Sequence, residues 1–155
     1  MTNAIRDQVF ISYGRADQSP IDWLSKLQLH LGLLKRQGVV DVWDDKRIET
    51  GSRWREQIKQ AVERAKAAVL LVGPGFLGSK FISEHELPPL LQAAETEGVK
   101  IFPLVVGYCG YKNSELEPFQ AFNDPDHPLE ALSPAEQNKI LRDLAVAIEE
   151  AFNRP

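Results

Sequence analysis

Residues 67–75 read Ala67-Ala68-Val69-Leu70-Leu71-Val72-Gly73-Pro74-Gly75, an unbroken apolar run that passes straight into a turn of small residues. A short apolar run bounded by glycine and proline predicts a strand buried on both faces. Such strands belong to parallel sheets, whose crossover helices cover both surfaces. Upstream the pattern recurs in Val9-Phe10-Ile11-Ser12-Tyr13, which ends at Gly14, and in Val39-Val40-Asp41-Val42-Trp43; downstream it recurs over 99–106. Helical patterns lie between them. Ser19 and Pro20 offer an N-cap and a first-turn proline, followed by the stripe Leu24, Leu27, Leu31 and Leu34, which Gly38 ends. After a polar loop over 44–51, Ser52 is placed to cap a helix whose inner face is Trp54, Ile58, Ala61, Val62 and Ala65. Residues 73–80 turn the chain into a third helical segment ending near Gly98. Residues 107–132, with Pro118, Pro125 and Pro128, are loop-rich with room for one short edge strand. Ser133-Pro134-Ala135-Glu136 is a capping box that opens a last helix carrying Ile140, Leu141, Leu144, Ile148 and Phe152.

Strands alternating with helices predict an α/β fold, a flavodoxin-like doubly wound parallel sheet of order 2-1-3-4-5. At 155 residues the chain suits one domain over 1–155, with its core at about 7–152. Ligands of such sheets bind beyond the carboxyl ends of the strands where strand order reverses, here between the first and third strands. That directs attention to Tyr13-Gly14-Arg15 and Gly73-Pro74-Gly75.

Composition removes several classes. A net charge of −4 without a basic run argues against a nucleic-acid surface. The apolar run at 67–72 is far short of the roughly 20 residues of a membrane span. Cys109 is the only cysteine, so no intramolecular disulfide forms, and with no signal pattern at the start the expectation is a cytoplasmic protein. Gly73-Pro74-Gly75-Phe76-Leu77-Gly78 matches G-x-G-x-x-G, the dinucleotide fingerprint of oxidoreductases. It follows the third strand instead of the first, Pro74 lacks an N–H, and no carboxylate follows the next strand to hold a ribose. A phospho-receiver needs an acidic pair after the first strand and an aspartate after the third, where this chain has Ser12-Tyr13 and Gly73.

Four stretches in order, residues 9–13, 43–54, 69–79 and 79–87, together resemble bacterial TIR (Toll/interleukin-1 receptor) domains of the NAD+-cleaving type. Residues 9–13 resemble their opening strand, and Trp43-Asp44-Asp45-Lys46-Arg47-Ile48-Glu49-Thr50-Gly51-Ser52-Arg53-Trp54 their second strand and BB loop. Residues 69–79 are similar to the third strand and its small-residue loop. Ser79-Lys80-Phe81-Ile82-Ser83-Glu84-His85-Glu86-Leu87 is similar to the segment with the family's catalytic glutamate. The likeness covers 8–106 and extends to the loop over 119–132.

The resemblance implies that Glu86 is the essential carboxylate, with Glu84 as competitor, because the family's glutamate precedes an apolar residue. Tyr13, Gly14 and Arg15 then meet the nucleotide, Glu49 is a BB-loop acid near substrate, and Trp43 is a candidate stacking surface. The chemistry is coherent: nicotinamide leaves a cationic ring as a neutral molecule, so the site needs a carboxylate near the ribose to steady an oxocarbenium-like transition state. Bland readings stand beside these. Ser83-Glu84-His85-Glu86 is also a capping box, which Pro88 and Pro89 complicate. Arginines such as Arg15 usually face water, Glu49 can be a solvated loop carboxylate, Trp43 and Trp54 are core candidates, and His85 is expected in solvent.

Two positions depart from the family pattern: Ile82 where tryptophan is frequent, and Gly14 where serine or arginine is frequent. No metal and no cofactor are expected, with NAD+ entering as substrate. The resemblance implies an NAD+ glycohydrolase or cyclase activated by self-assembly through the BB loop, acting in anti-phage defence. It also implies a domain excised from a longer protein or joined to a sensor. The alternative is a non-catalytic TIR interaction module.

Overall fold

Strands β1 (Gln8–Tyr13), β2 (Asp41–Trp43), β3 (Ala65–Val72) and β4 (Lys100–Val105) form one parallel sheet of order β2-β1-β3-β4. The structure is a computed structural model that describes residues 5–47, 51 and 53–153. Register is fixed by pairs such as Val9↔Val42, Ile11↔Val69 and Val69↔Phe102. Alternate side chains enter opposite layers. Val9, Ile11 and Tyr13 pack with Leu24, Leu27 and Leu31 of α1 (Trp23–Arg36) and with Leu141, Leu144 and Ile148 of α5 (Pro134–Asn153). Phe10 and Leu70 face the other way, onto Ile58 and Val62 of α2 (Trp54–Arg64) and Leu87 and Leu90 of α4 (Leu87–Thr96). Ser12 has the parity of Phe10, which places it beneath the layer of α2 and α4.

Several local expectations are corrected. The cap of α1 is Asp22, not Ser19: the Ser25 N–H donates to Asp22 Oδ1 at 3.0 Å, and the Ser25 hydroxyl donates to Oδ2 at 2.8 Å. A short turn at Arg15–Gln18 intervenes, and Gln18 Oε1 accepts from the Leu24 N–H at 3.0 Å, so the orphan donors of α1 are met without Ser19. The expected cap Ser52 lies outside the described residues; Arg53 stands at the N-cap of α2 and makes no side-chain cap bond. The third helical segment is split into α3 (Pro74–Gly78), a π-helical turn (Ile82–Glu86) and α4. The capping box of α5 forms as expected, with the Glu136 N–H donating to Ser133 Oγ at 3.2 Å and the Ser133 N–H donating to Glu136 Oε1 at 3.3 Å.

No fifth strand exists among the described residues, so the order stops at 2-1-3-4. The free edge of β4 is occupied by the loop instead. The Phe122 N–H donates to the Pro103 carbonyl at 2.7 Å. Asn123 does with one side chain what a strand does with its backbone: its Oδ1 accepts from the Val105 N–H at 2.8 Å and its Nδ2 donates to the Val105 carbonyl at 2.9 Å. Pro103, on the same edge, has no N–H to offer a fifth strand, and proline is suited to edges for that reason. None of the described helices is long and apolar enough to cross a membrane.

Candidate functional site

The carboxyl ends of β1 and β3 open into a cleft lined by Tyr13, Gly14, Arg15, Asp45, Gly75, Ser79, Phe81, Ile82 and Glu86. Its volume, about 550 Å³, is within the usual range for small-molecule sites.

The lips of this cleft come from loops that interlock. The Gly75 and Phe76 N–H groups donate to Asp17 Oδ1 and Oδ2 at 2.8 and 2.7 Å, so one carboxylate from the first loop closes the amino end of α3. A Cβ at Gly75 would stand 2.9 Å from Asp17 Oδ1, and one at Gly14 only 2.4 Å from the Phe76 nitrogen. The glycines are needed for close approach. The amides of the G-x-G-x-x-G stretch are therefore engaged by the protein's own acid, which is a further reason against a dinucleotide fingerprint.

Glu86 is placed by the proline pair behind it. In an α-helix the N–H groups of residues 88 and 89 would bond the Glu84 and His85 carbonyls, and Pro88 and Pro89 have none. The turn widens: the Leu87 N–H reaches back five residues to the Ile82 carbonyl, and the Ile82 N–H donates to Ser79 Oγ at 3.2 Å. Such π-turns are frequent at functional sites. Here the turn brings the neighbours Glu86 and Leu87 both inside while Ser83 and Glu84 stay exposed. The capping-box alternative at 83–86 does not form: Ser83 lies inside the turn, the Glu86 side chain makes no cap bond to α4, and the hydroxyl that meets an early N–H of the segment is that of Ser79.

Glu86 is 4% exposed, and among the described residues no basic side chain forms an ion pair with it. Burial pushes its carboxyl up to about 7; the nearby Ser12 hydroxyl opposes the rise, and repulsion from Asp45 adds to it. Ser12 Oγ is itself buried and makes no hydrogen bond of acceptable distance and angle, so its influence on Glu86 is that of a nearby dipole. The Tyr13 hydroxyl donates to Asp45 Oδ1 at 2.7 Å, and burial together with this bond keeps it protonated well above the usual phenol range. Arg15 Nη2 lies 3.7 Å from Asp45 Oδ2, with the Arg15 side chain 84% exposed and that of Asp45 21%.

The candidates thus separate. Tyr13, Gly14, Arg15 and Glu86 come together in one cleft. Glu84 does not: it lies 3.9 Å from Lys80 Nζ and 3.8 Å from His85 Nε2, and lines a different groove between α2 and α4. Trp43 is 5% exposed and stacks on Phe10 with ring centres 4.8 Å apart, in the core and away from the cleft lining. His85 is not simply solvated; its ring packs 5.1 Å from Trp54 and 5.2 Å from Phe81. Glu49 lies outside the described residues. Asp45, Ser79 and Phe81 line the cleft without having been singled out. Asp45 was accessible from the sequence as the second acid after a strand that neighbours β1. Among the described residues no cluster of His, Cys, Asp or Glu is arranged to hold a metal ion.

What the arrangement offers is a secluded carboxyl group that titrates near neutrality, beside a phenol and a second acid, in a cleft open to solvent. It suits stabilisation of a cationic centre or transfer of one proton.

Residues 9–133 match the family model described as TIR domain. The uncharacterized protein y4lF of Sinorhizobium fredii is 25% identical over 146 residues, covering 94% of this chain and 44% of that protein; the chain thus spans less than half of this relative's length. Among solved structures, the TIR domains of the activated Roq1 resistosome, which directly recognises the pathogen effector XopQ, superpose with a TM-score of 0.55 at 18% identity over 96% of this chain and 85% of that one. A TIR-STING receptor from C. gigas gives 0.54 at 18% identity over 100% and 43%. The TIR domain of the Toll-related receptor TRR-2 from Hydra magnipapillata gives 0.53 at 19% identity over 73% and 80%. At these identities the structural likeness speaks for the fold.

Proposed function

Since the chain belongs to the TIR domain family, we propose that its cleft cleaves NAD+ at the nicotinamide–ribose bond, as a glycohydrolase or cyclase. One observation carries the reading: a nearly buried carboxyl group, Glu86, with no paired cation among the described residues, stands at the carboxyl ends of β1 and β3 in a cleft of ligand size. When the bond from C1′ to the pyridinium nitrogen breaks, its electron pair stays with nicotinamide, which departs neutral. The ribose is left with positive charge at C1′ and the ring oxygen. An ionised Glu86 stabilises that charge at short range, where little water screens it. Water then adds to C1′ and loses a proton to solvent, giving ADP-ribose; attack by a nucleophile on the adenine or ribose gives a cyclic product instead. The Tyr13 hydroxyl and Arg15 flank the substrate.

Activity in this reading depends on self-assembly, with the loop after β2 meeting a neighbouring subunit. A sensor, fused or associated, drives that assembly in the cytoplasm during anti-phage defence. The resemblance to bacterial members supports this, as does the resistosome in which the Roq1 domains occur.

The test is NAD+ consumption by the domain clustered on a multivalent support, with parent and Glu86→Ala compared at pH 8. Loss with the parent and at least a hundredfold less with the variant is expected; equal rates would overturn the assignment of Glu86. No consumption by either under forced clustering would favour the second reading, a non-catalytic interaction module. That reading draws on Ile82, an apolar residue in the cleft wall where tryptophan is frequent in the family resembled.

A further inference from the structure

Among the described residues two carboxyl groups line the cleft, and the resemblance gives a role to only one of them. Asp45 sits at the start of the turn Asp45–Arg47 after β2, lines the same cleft as Glu86, and is largely buried. Its carboxylate links two other cleft residues: Oδ1 accepts from the Tyr13 hydroxyl at 2.7 Å and Oδ2 lies 3.7 Å from Arg15 Nη2. Without it, the hydroxyl of the buried Tyr13 and the exposed Arg15 guanidinium would lose the acceptor that links them.

We infer that Asp45 is a positioning residue of this cleft: it holds the Tyr13 hydroxyl and the Arg15 guanidinium at the rim and, as the second carboxyl group inside, sets the local field against which Glu86 works. The inference rests on the NAD+-cleaving reading for its catalytic part. The charged and titratable groups lining the cleft around Glu86 are few. β1 and its loop supply Tyr13 and Arg15, the turn after β2 supplies Asp45, and the segment from α3 to the π-turn supplies only Gly75, Ser79, Phe81 and Ile82. Glu84 and His85, on the same turn as Glu86, belong to the other groove. Among the described residues Asp45 is therefore the one acid lining the cleft opposite Glu86, and burial keeps their interaction poorly screened.

The experiment pairs two readouts on Asp45→Asn, which keeps an oxygen for the Tyr13 hydroxyl but removes the charge. In clustered protein the acidic limb of the kcat/KM profile for NAD+ should move down by about half a pH unit. KM should rise several-fold as Arg15 loses its anchor, with the plateau kcat within about twofold of the parent. Tyr13→Phe should raise KM without moving the limb, because it leaves the Asp45 charge in place. In parallel, the Glu86 side-chain carboxyl is titrated by carbon-13 NMR in the unclustered parent and in Asp45→Asn. A lower midpoint in the variant supports the inference whether or not NAD+ is cleaved. Superimposable titrations would overturn it even in an active enzyme. Absence of turnover with a shifted titration would sink the enzymatic reading alone.

Discussion

At the scale of single residues, Glu86 is a carboxyl group that folding makes reluctant to ionise. In the folded chain it holds its proton up to about 7, against an ordinary value of 4.5. Its contribution to stability is therefore complete below pH 4.5 and is lost as pH rises through 7, because the unfolded chain releases this proton first. Glu86→Gln removes that dependence. Relative to the parent, the variant should gain stability between pH 5 and pH 8, by up to about 3 kcal/mol. Urea unfolding at the two pH values reads the difference; an offset that does not change with pH would mean that the carboxyl is not held protonated. The same residue shows where sequence reasoning stopped. The order of motifs separates Glu86 from most other acids in the chain, but Glu84 remains a rival because both sit within one turn. What divides them is the π-turn imposed by Pro88 and Pro89, and a helical-wheel argument assumes the regular turn that those prolines prevent. Trp43 fails for a related reason, since its strand parity puts it against Phe10.

At the scale of elements, four strands and the principal helices could be read from apolar runs and stripes, because continuous burial leaves little freedom in such patterns. The missing fifth strand could not. Residues 107–132 contain turn formers and apolar residues alike, and the choice between strand and loop is made by one side chain, Asn123, fitting both polar groups of Val105. Asn123→Ala deletes both hydrogen bonds to Val105 and leaves a backbone donor and acceptor on β4 facing a partly buried gap. A loss of about 1–3 kcal/mol follows, measured by chemical denaturation, with faster amide exchange at Val105. Unchanged exchange would show that the side chain is dispensable to that edge. The misplaced cap of α1 has the same origin. Ser19 has the right chemistry, but Asp22 stands next to the first residue of the helix and Gln18 supplies a second acceptor.

At the scale of the whole molecule, the cleft is assembled from segments far apart in sequence: the end of β1, the turn after β2, the start of α3 and the π-turn. The parallel order brings them together, which is why the location of the site could be inferred from topology before any residue was assigned to it. Their mutual placement depends on contacts without a sequence signature, above all the backbone of Gly14 against that of Phe76. Gly14→Ala puts a methyl 2.4 Å from the Phe76 nitrogen, which is backbone and cannot swing aside. The strand end and α3 must separate, at a cost of about 1–3 kcal/mol. Thermal unfolding should report the loss, and NAD+ turnover by the clustered variant should fall at least tenfold, because Arg15 and Gly75 leave their places together. An alanine variant as stable and active as the parent would show the contact to be slack.

Asp17 carries a consequence for anything anionic that approaches the mouth of the sheet. The two N–H donors that would greet a phosphate already hold a carboxylate. A newcomer would have to evict that side chain and then sit beside it, two like charges competing for one pair of protons. A diphosphate reaching this protein must accordingly be gripped elsewhere, and the customary nucleotide handle serves here as an internal brace.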